Sequence, residues 1–146
     1  MRQQTLKLFF GVSLSVLLAV VSAGANPDLN VRATIPFDFT VGDRILPAGT
    51  YTVEAIDAQG VLAIRSEDYT RRMFIFTGAR DAKNEPEPAK LVFRKYGDLY
   101  FLAEVWTSYA GQEVFRSRKE RQVIRELRNH LAKGAAEPEL VYIAAN

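Results

Sequence analysis

The chain has no cysteine and a single histidine. Without cysteine there is no disulfide, no thiolate metal ligand and no cysteine nucleophile. The lipid-modified route to a cell envelope is closed for the same reason. A Ser-His-Asp triad would have to use His130, which falls in the last turn of a predicted helix, and no glycine-framed serine resembles a nucleophile elbow. The plain reading of His130 is a rim residue beside an apolar stripe, favoured by the helix C-terminal dipole. A zinc site would need several carboxylates in a motif that is not present. There is no G-x-G-x-x-G and no P-loop, so no cofactor is expected. After Val21 no apolar run approaches the roughly 20 residues of a transmembrane helix.

The first 25 residues carry what remains of that kind of signal. Arg2 and Lys7 form a short basic region, Leu8 to Val21 is uncharged, and Ala23-Gly24-Ala25 has the small residues of an A-x-A cleavage site. This predicts a secretory signal peptide over 1–25, cleaved at Ala25 or Ala23, and an exported, periplasmic or secreted product. Removing it takes away Arg2 and Lys7, so 19 basic and 17 acidic residues become 17 and 17. The high isoelectric point then gives no support for global polyanion binding, and an exported chain is a poor candidate for nucleic acid. Residues 26–146 suffice for one domain with a core. Nine Phe, six Tyr and one Trp supply the apolar area that disulfides cannot replace.

The strongest pattern lies in Lys90 to Thr107, KLVFRKYGDLYFLAEVWT. Two apolar runs, Leu91 to Phe93 and Leu99 to Trp106, flank Tyr96-Gly97-Asp98, a tight turn between strands. A three-residue loop pairs Phe93 with Phe101, Leu91 with Ala103 and Lys90 with Glu104, leaving Val92, Arg94, Tyr100 and Leu102 on the other face. Large apolar groups on both faces predict a mid-sheet hairpin with its second side covered.

Elsewhere short strands alternate with turns. Val31 to Val41 alternates apolar and polar, with Pro36 marking an edge or a break into two strands. Gly42-Asp43 is a turn, and Leu46-Pro47-Ala48-Gly49 turns again to launch a strand through Tyr51, Val53 and Ala55. Strands follow at Val61 to Arg65 and Arg72 to Thr77, the latter with the apolar run Met73 to Phe76. Residues 80–89, RDAKNEPEPA, read as a mobile surface loop. Ser108 to Gly111 reads as a loop. Ser117-Arg118-Lys119-Glu120 then has the spacing of a capping box, and Val123, Ile124, Leu127 and Leu131 continue a helix over 117–133 that stops at Gly134. Glu139 to Ala144 suits a final strand. The expected fold is all-β and mainly antiparallel, a single sandwich or flattened barrel with one C-terminal amphipathic helix.

Candidate chemistry is sparse. Arg118, Arg121, Arg125 and Arg128 share one arc of the helix, away from the apolar stripe, and four guanidiniums there suit an anionic partner. A solvated face is the plain alternative. Paired carboxylates for glycoside hydrolysis can be drawn from Asp38, Asp43, Glu54, Asp57, Glu67, Asp68, Asp98 and Glu104, though Asp is also a common turn former. Tyr96, Tyr100, Trp106 and Tyr109 offer a sugar-stacking platform if they converge, and core packing if they do not.

The blocks IPFDFTVGDRILPAGTYTVE, KLVFRKYGDLYFLAEVWT and SRKERQ, in that order behind a signal peptide, resemble a family of small uncharacterised exported β-rich proteins of soil bacteria. The resemblance spans Val31 to about Gln122 and implies a compact envelope or secreted protein with no catalytic residues to carry over. The leading expectation is a non-catalytic module that binds or supports an anionic envelope component or another envelope protein. The rivals are a small-ligand carrier with an open interior lined by Phe37, Phe39, Phe93 and Phe101, and a small carbohydrate-active enzyme.

Overall fold

The alternation at the start becomes strand β1 (Asn30–Ile35), in which Val31, Ala33 and Ile35 are buried and Arg32 and Thr34 are exposed. Pro36 breaks the run, and a separate strand β2 (Phe39–Val41) follows. It turns at Gly42-Asp43 into β3 (Arg44–Leu46), a strand the sequence does not announce. The next strands are β4 (Gly49–Ala55), β5 (Val61–Ser66) and β6 (Arg72–Arg80). The hairpin β7 (Lys90–Tyr96) and β8 (Leu99–Trp106) leads to β9 (Gly111–Val114), the helix α1 (Arg118–His130) and β10 (Glu139–Ala144). This computed structural model describes residues 29–56, 60–80, 85–130 and 137–146. The expected signal segment, Asp57, Leu131 and the helix stop at Gly134 lie outside the described residues.

All ten strands join one sheet folded into two layers. The first layer is β1-β4-β5 with the first half of β6, all antiparallel. The second half of β6 pairs with β9, and the second layer runs β9-β8-β7-β10. β6 is long enough to serve both layers: Arg72 to Phe76 pair with β5, and Thr77 to Arg80 pair with β9. β2 joins β8 in parallel and carries β3 at the edge. The architecture is an all-β sandwich with a C-terminal helix, and among the described residues no strand ladder joins β1 to β10. The two edges instead meet at one point, where the Arg32 and Asn146 backbones exchange hydrogen bonds of 2.7 and 3.0 Å.

The main core lies between the layers. Val31, Ile35, Val53, Leu62, Ile64 and Ile75 face Leu91, Phe93, Leu102, Val105 and Val114, with Phe39, Val41 and Leu46 among them. The run Met73 to Phe76 splits by strand alternation: Ile75 is buried and Met73 half-buried, while Phe74 and Phe76 face outward and are exposed.

The central hairpin departs from the expected register. Its turn has two residues, with Gly97 at φ +60°, so Tyr96 pairs with Leu99 and Phe93 with Leu102. Glycine in the first position supplies the positive φ of a two-residue turn whose twist matches that of the flanking strands. A bulge between Val92 and Phe93 then shifts the ladder by one, so that Leu91 faces Val105 and Lys90 faces Trp106. In consequence Phe101 pairs with Arg94 and leaves the main core. It is buried on the outer face of the second layer with Tyr96 and Ile124, whereas Leu102 belongs to the inner face. The second side of the hairpin is covered, as its composition predicts, and α1 is what covers it.

The segment expected as a mobile loop over 80–89 is tied down at the described residues on either side. Arg80 belongs to β6, and the backbones of Glu87 and Ala89 bond to Ser108 and Ala145. Residues 81–84 lie outside the described residues.

Candidate functional site

The helix is fixed to the sheet from its first turn. Ser117 caps it, its Oγ accepting the Glu120 backbone N–H at 3.1 Å. The Asp43 carboxylate accepts the Lys119 N–H at 3.2 Å. The Glu120 side chain does not reach back to complete a capping box. It turns inward, where Arg94 donates to both of its oxygens, from Nε at 2.6 Å and from Nη2 at 3.1 Å. The Tyr96 hydroxyl donates to Oε1 at 3.2 Å, and Arg94 Nη2 also reaches the Val114 carbonyl at 3.2 Å. Burial, with the Glu120 charge beside it, pushes the Tyr96 hydroxyl above its ordinary pKa. The Arg94 and Glu120 side chains are 8% and 2% exposed, so this is a buried, bidentate ion pair. Among the described residues no buried side-chain nitrogen or oxygen lacks a partner. Below the pair, Ile124 is buried and Val123 and Leu127 are half-buried against Tyr96 and Phe101.

With that face committed, Arg118, Arg121, Arg125 and Arg128 are all exposed. Arg121 donates to the Arg116 carbonyl at 2.5 Å. Among the described residues no carboxylate pairs with any of the four. The nearby acid Glu126 is bonded by Gln122 instead. No described helix is long and apolar enough to cross a membrane.

A second feature escaped the sequence pattern. At one end of the sandwich the β2–β3 hairpin and the β5–β6 turn enclose a cleft of about 240 Å³. Its floor includes Leu46, Ile64 and Met73, and Arg44, Arg71 and Arg72 line it. The turn that carries two of these arginines is tightly built. Tyr69 sits at φ +58°, a left-handed conformation uncommon outside glycine and costly for a bulky side chain. Asp68 holds it there, accepting Ser66 Oγ at 2.5 Å, Thr70 N at 3.0 Å and Thr70 Oγ1 at 2.8 Å. Those hydrogen bonds, with lesser help from Arg71, lower the Asp68 pKa to about 2. The Arg71 backbone is bonded to Ser66 through both its N–H and its carbonyl. Arg44 and Arg71 lie far apart in sequence, on either side of a strand pair, so only the folded chain brings them together. The visible signal was the Arg71-Arg72 doublet closing a turn.

Comparison with protein-family models, curated proteins and solved structures finds no match for this chain.

The remaining sequence candidates disperse. Tyr96 is buried under the helix; Tyr100 stacks on Phe37 at 3.8 Å on the inner side of the layer; Tyr109 is exposed in a loop. Trp106 is half-buried over Gly111, where an added Cβ would come within 2.7 Å of its ring. The four do not form one platform. Among the carboxylates, Asp38 accepts Ala48 N–H, Glu54 lies 3.8 Å from Arg72, and Glu67 pairs with Arg32. Asp98 is exposed in the hairpin turn.

Glu104 faces Glu113 across the ladder, with Arg80 close to both. Burial alone pushes the Glu104 carboxyl up, but hydrogen bonds from Arg80 and Trp106 outweigh it and hold the pKa below the ordinary value. A glycosidic general acid needs the opposite shift. Among the described residues no group of three or more His, Asp or Glu side chains could hold a metal. His130 ends the helix, and its side chain lies outside the described residues. Phe37, Phe39 and Phe93 fill the interior with ring contacts of 5.2 and 5.5 Å, and Phe101 is not among them.

Proposed function

We propose that the chain is an exported, non-catalytic β-module that docks on an anionic component of the cell envelope through the outer face of α1. The observation that carries this reading is the division of the helix. Its inner side is fixed by a buried ion pair and an apolar contact, while Arg118, Arg121, Arg125 and Arg128 stay exposed with no carboxylate partner among the described residues. Guanidinium groups bind phosphate and carboxylate oxygens in pairs, and a rigid helix presents them with no backbone left to order at the moment of contact. The proposed compartment is periplasmic or extracellular, after loss of residues 1–25. The family proposed is the small exported β-rich group that the sequence blocks resemble. Aromatic packing in the interior supports a module over a carrier.

The test is retention on vesicles containing phosphatidylglycerol and, separately, on a carboxylated polysaccharide. Wild type should be retained by at least one, and added salt should weaken retention because exposed charges are screened beyond about 10 Å at 0.1 M. Arg121→Glu with Arg125→Glu should abolish retention and leave the melting curve nearly unchanged. Equal retention of wild type and double variant would mean the four arginines form only a solvated face.

A further inference from the structure

We infer that the cleft between the β2–β3 hairpin and the β5–β6 turn is a binding site for a small organic anion with a short apolar body. Two kinds of wall converge there. Leu46 and Ile64 are buried core residues whose outer edges form the floor, with Met73 half-buried and Ile45 exposed beside them. Arg44, Arg71 and Arg72 line the same space, and no carboxylate does. Arg72 is drawn toward Glu54, at 3.8 Å, and lies over the Phe74 ring. Among the described residues, Arg44 and Arg71 have neither a side-chain hydrogen bond nor an ion pair. Asp68 is the acid coupled to Arg71, and its oxygens are already occupied by Ser66 and Thr70. The site therefore presents two guanidiniums above an apolar floor, neither in an ion pair among the described residues, with Arg71 in the field of the Asp68 carboxylate.

The turn beside it supplies the second argument. A non-glycine residue in the left-handed region survives only where its surroundings over-determine it, and such residues gather at ligand clamps. Here Tyr69 occupies that region, the Asp68 bonds enforce it, and Arg71 is fixed at the backbone by Ser66 on both its N–H and its carbonyl. The backbone that carries Arg71 is thus set before any ligand arrives, which lowers the ordering cost for a small ligand with few contacts. The volume limits the class: about 240 Å³ is below the roughly 300–1,000 Å³ of sites for drug-sized ligands. A carboxylate or phosphate head on a short chain or single ring fits both walls. The site is separate from the arginines of α1, and its occupation does not depend on the proposed docking of that helix.

Titration of the chain left after the proposed signal cleavage, residues 26–146, with octanoate, followed by backbone amide NMR shifts, tests the site directly. Octanoate should saturate with shifts centred on Ile45, Thr70 and Met73, while acetate and 1-octanol, each carrying half of the chemistry, should bind about tenfold or more weakly. Octyl phosphate in place of octanoate distinguishes the heads: tighter binding assigns a phosphate ester, weaker binding a carboxylate. Arg44→Glu with Arg71→Glu should remove octanoate binding. Both side chains are exposed, and the turn bonds of Arg71 are backbone bonds, so the amide spectrum elsewhere should be preserved. Shifts scattered over the surface, or octanol binding as well as octanoate, would overturn the assignment, and so would unchanged binding by the double variant.

Discussion

Arg94 and Glu120 meet in the space between the hairpin and the helix, where neither has water to fall back on. Removing one partner of such a pair leaves the other charged and unsolvated, which costs about 3–5 kcal/mol, whereas replacing both with apolar groups is often neutral. Glu120→Ala is therefore expected to lower the unfolding free energy by about 3–5 kcal/mol, a large share of the 5–15 kcal/mol typical of a domain. Arg94→Met with Glu120→Leu should recover most of it. Denaturant midpoints would decide; a Glu120→Ala loss no larger than that of the exposed Glu126→Ala would mean the pair is not fastening the helix. At this scale the sequence was half legible. The S-x-x-E spacing located the helix start at Ser117, yet it assigned Glu120 to the cap. Its partner lies 26 residues away on another strand, and local spacing carries no information about that distance.

The β7–β8 hairpin shows how far pattern reaches at the scale of an element. The limits of β8 and β10 follow from apolar runs bounded by turn residues, and β1 from strict alternation, whereas β7 runs on through Tyr96, which the pattern places in the turn. The pairing did not follow. With both faces buried, Phe101 and Leu102 are equally apolar, so composition cannot say which one looks inward, and the bulge removes the last periodic cue. β3 and β9 are three and four residues long, and their pattern is too brief to register. Phe101→Ala is expected to cost about 3–5 kcal/mol. Because the ring packs against Tyr96 and Ile124, hydrogen exchange should rise more at the amides of α1 than at those of β1 and β4. Uniform acceleration across both layers would place Phe101 back in the main core.

The two layers of the whole molecule are not independent, because β6 contributes to each and the Asn146 backbone closes onto β1. Loss of the last strand should therefore be felt at the first. A chain lacking residues 137–146 leaves the outer edge of β7 unpaired and takes away the Arg32 contact. Such an edge invites pairing with other chains. The truncated protein is expected to show raised light scattering and a broadened, earlier melt; a monomer with the full-length melting profile would remove β10 from the cooperative unit. Synthesis runs in one direction, at about 5–20 residues per second. The strands of the first layer are all present once Phe76 has been made, but its inner face, Val31, Ile35, Val53, Leu62 and Ile64, has only Phe39, Val41 and Leu46 to rest on until β7 and β8 appear. The segment that seats against β1 follows every other described strand in the chain. Wherever the chain folds, the first layer can form only half a sandwich with much of its greasy side open until the second arrives, and the sheet is completed only when β10 is available.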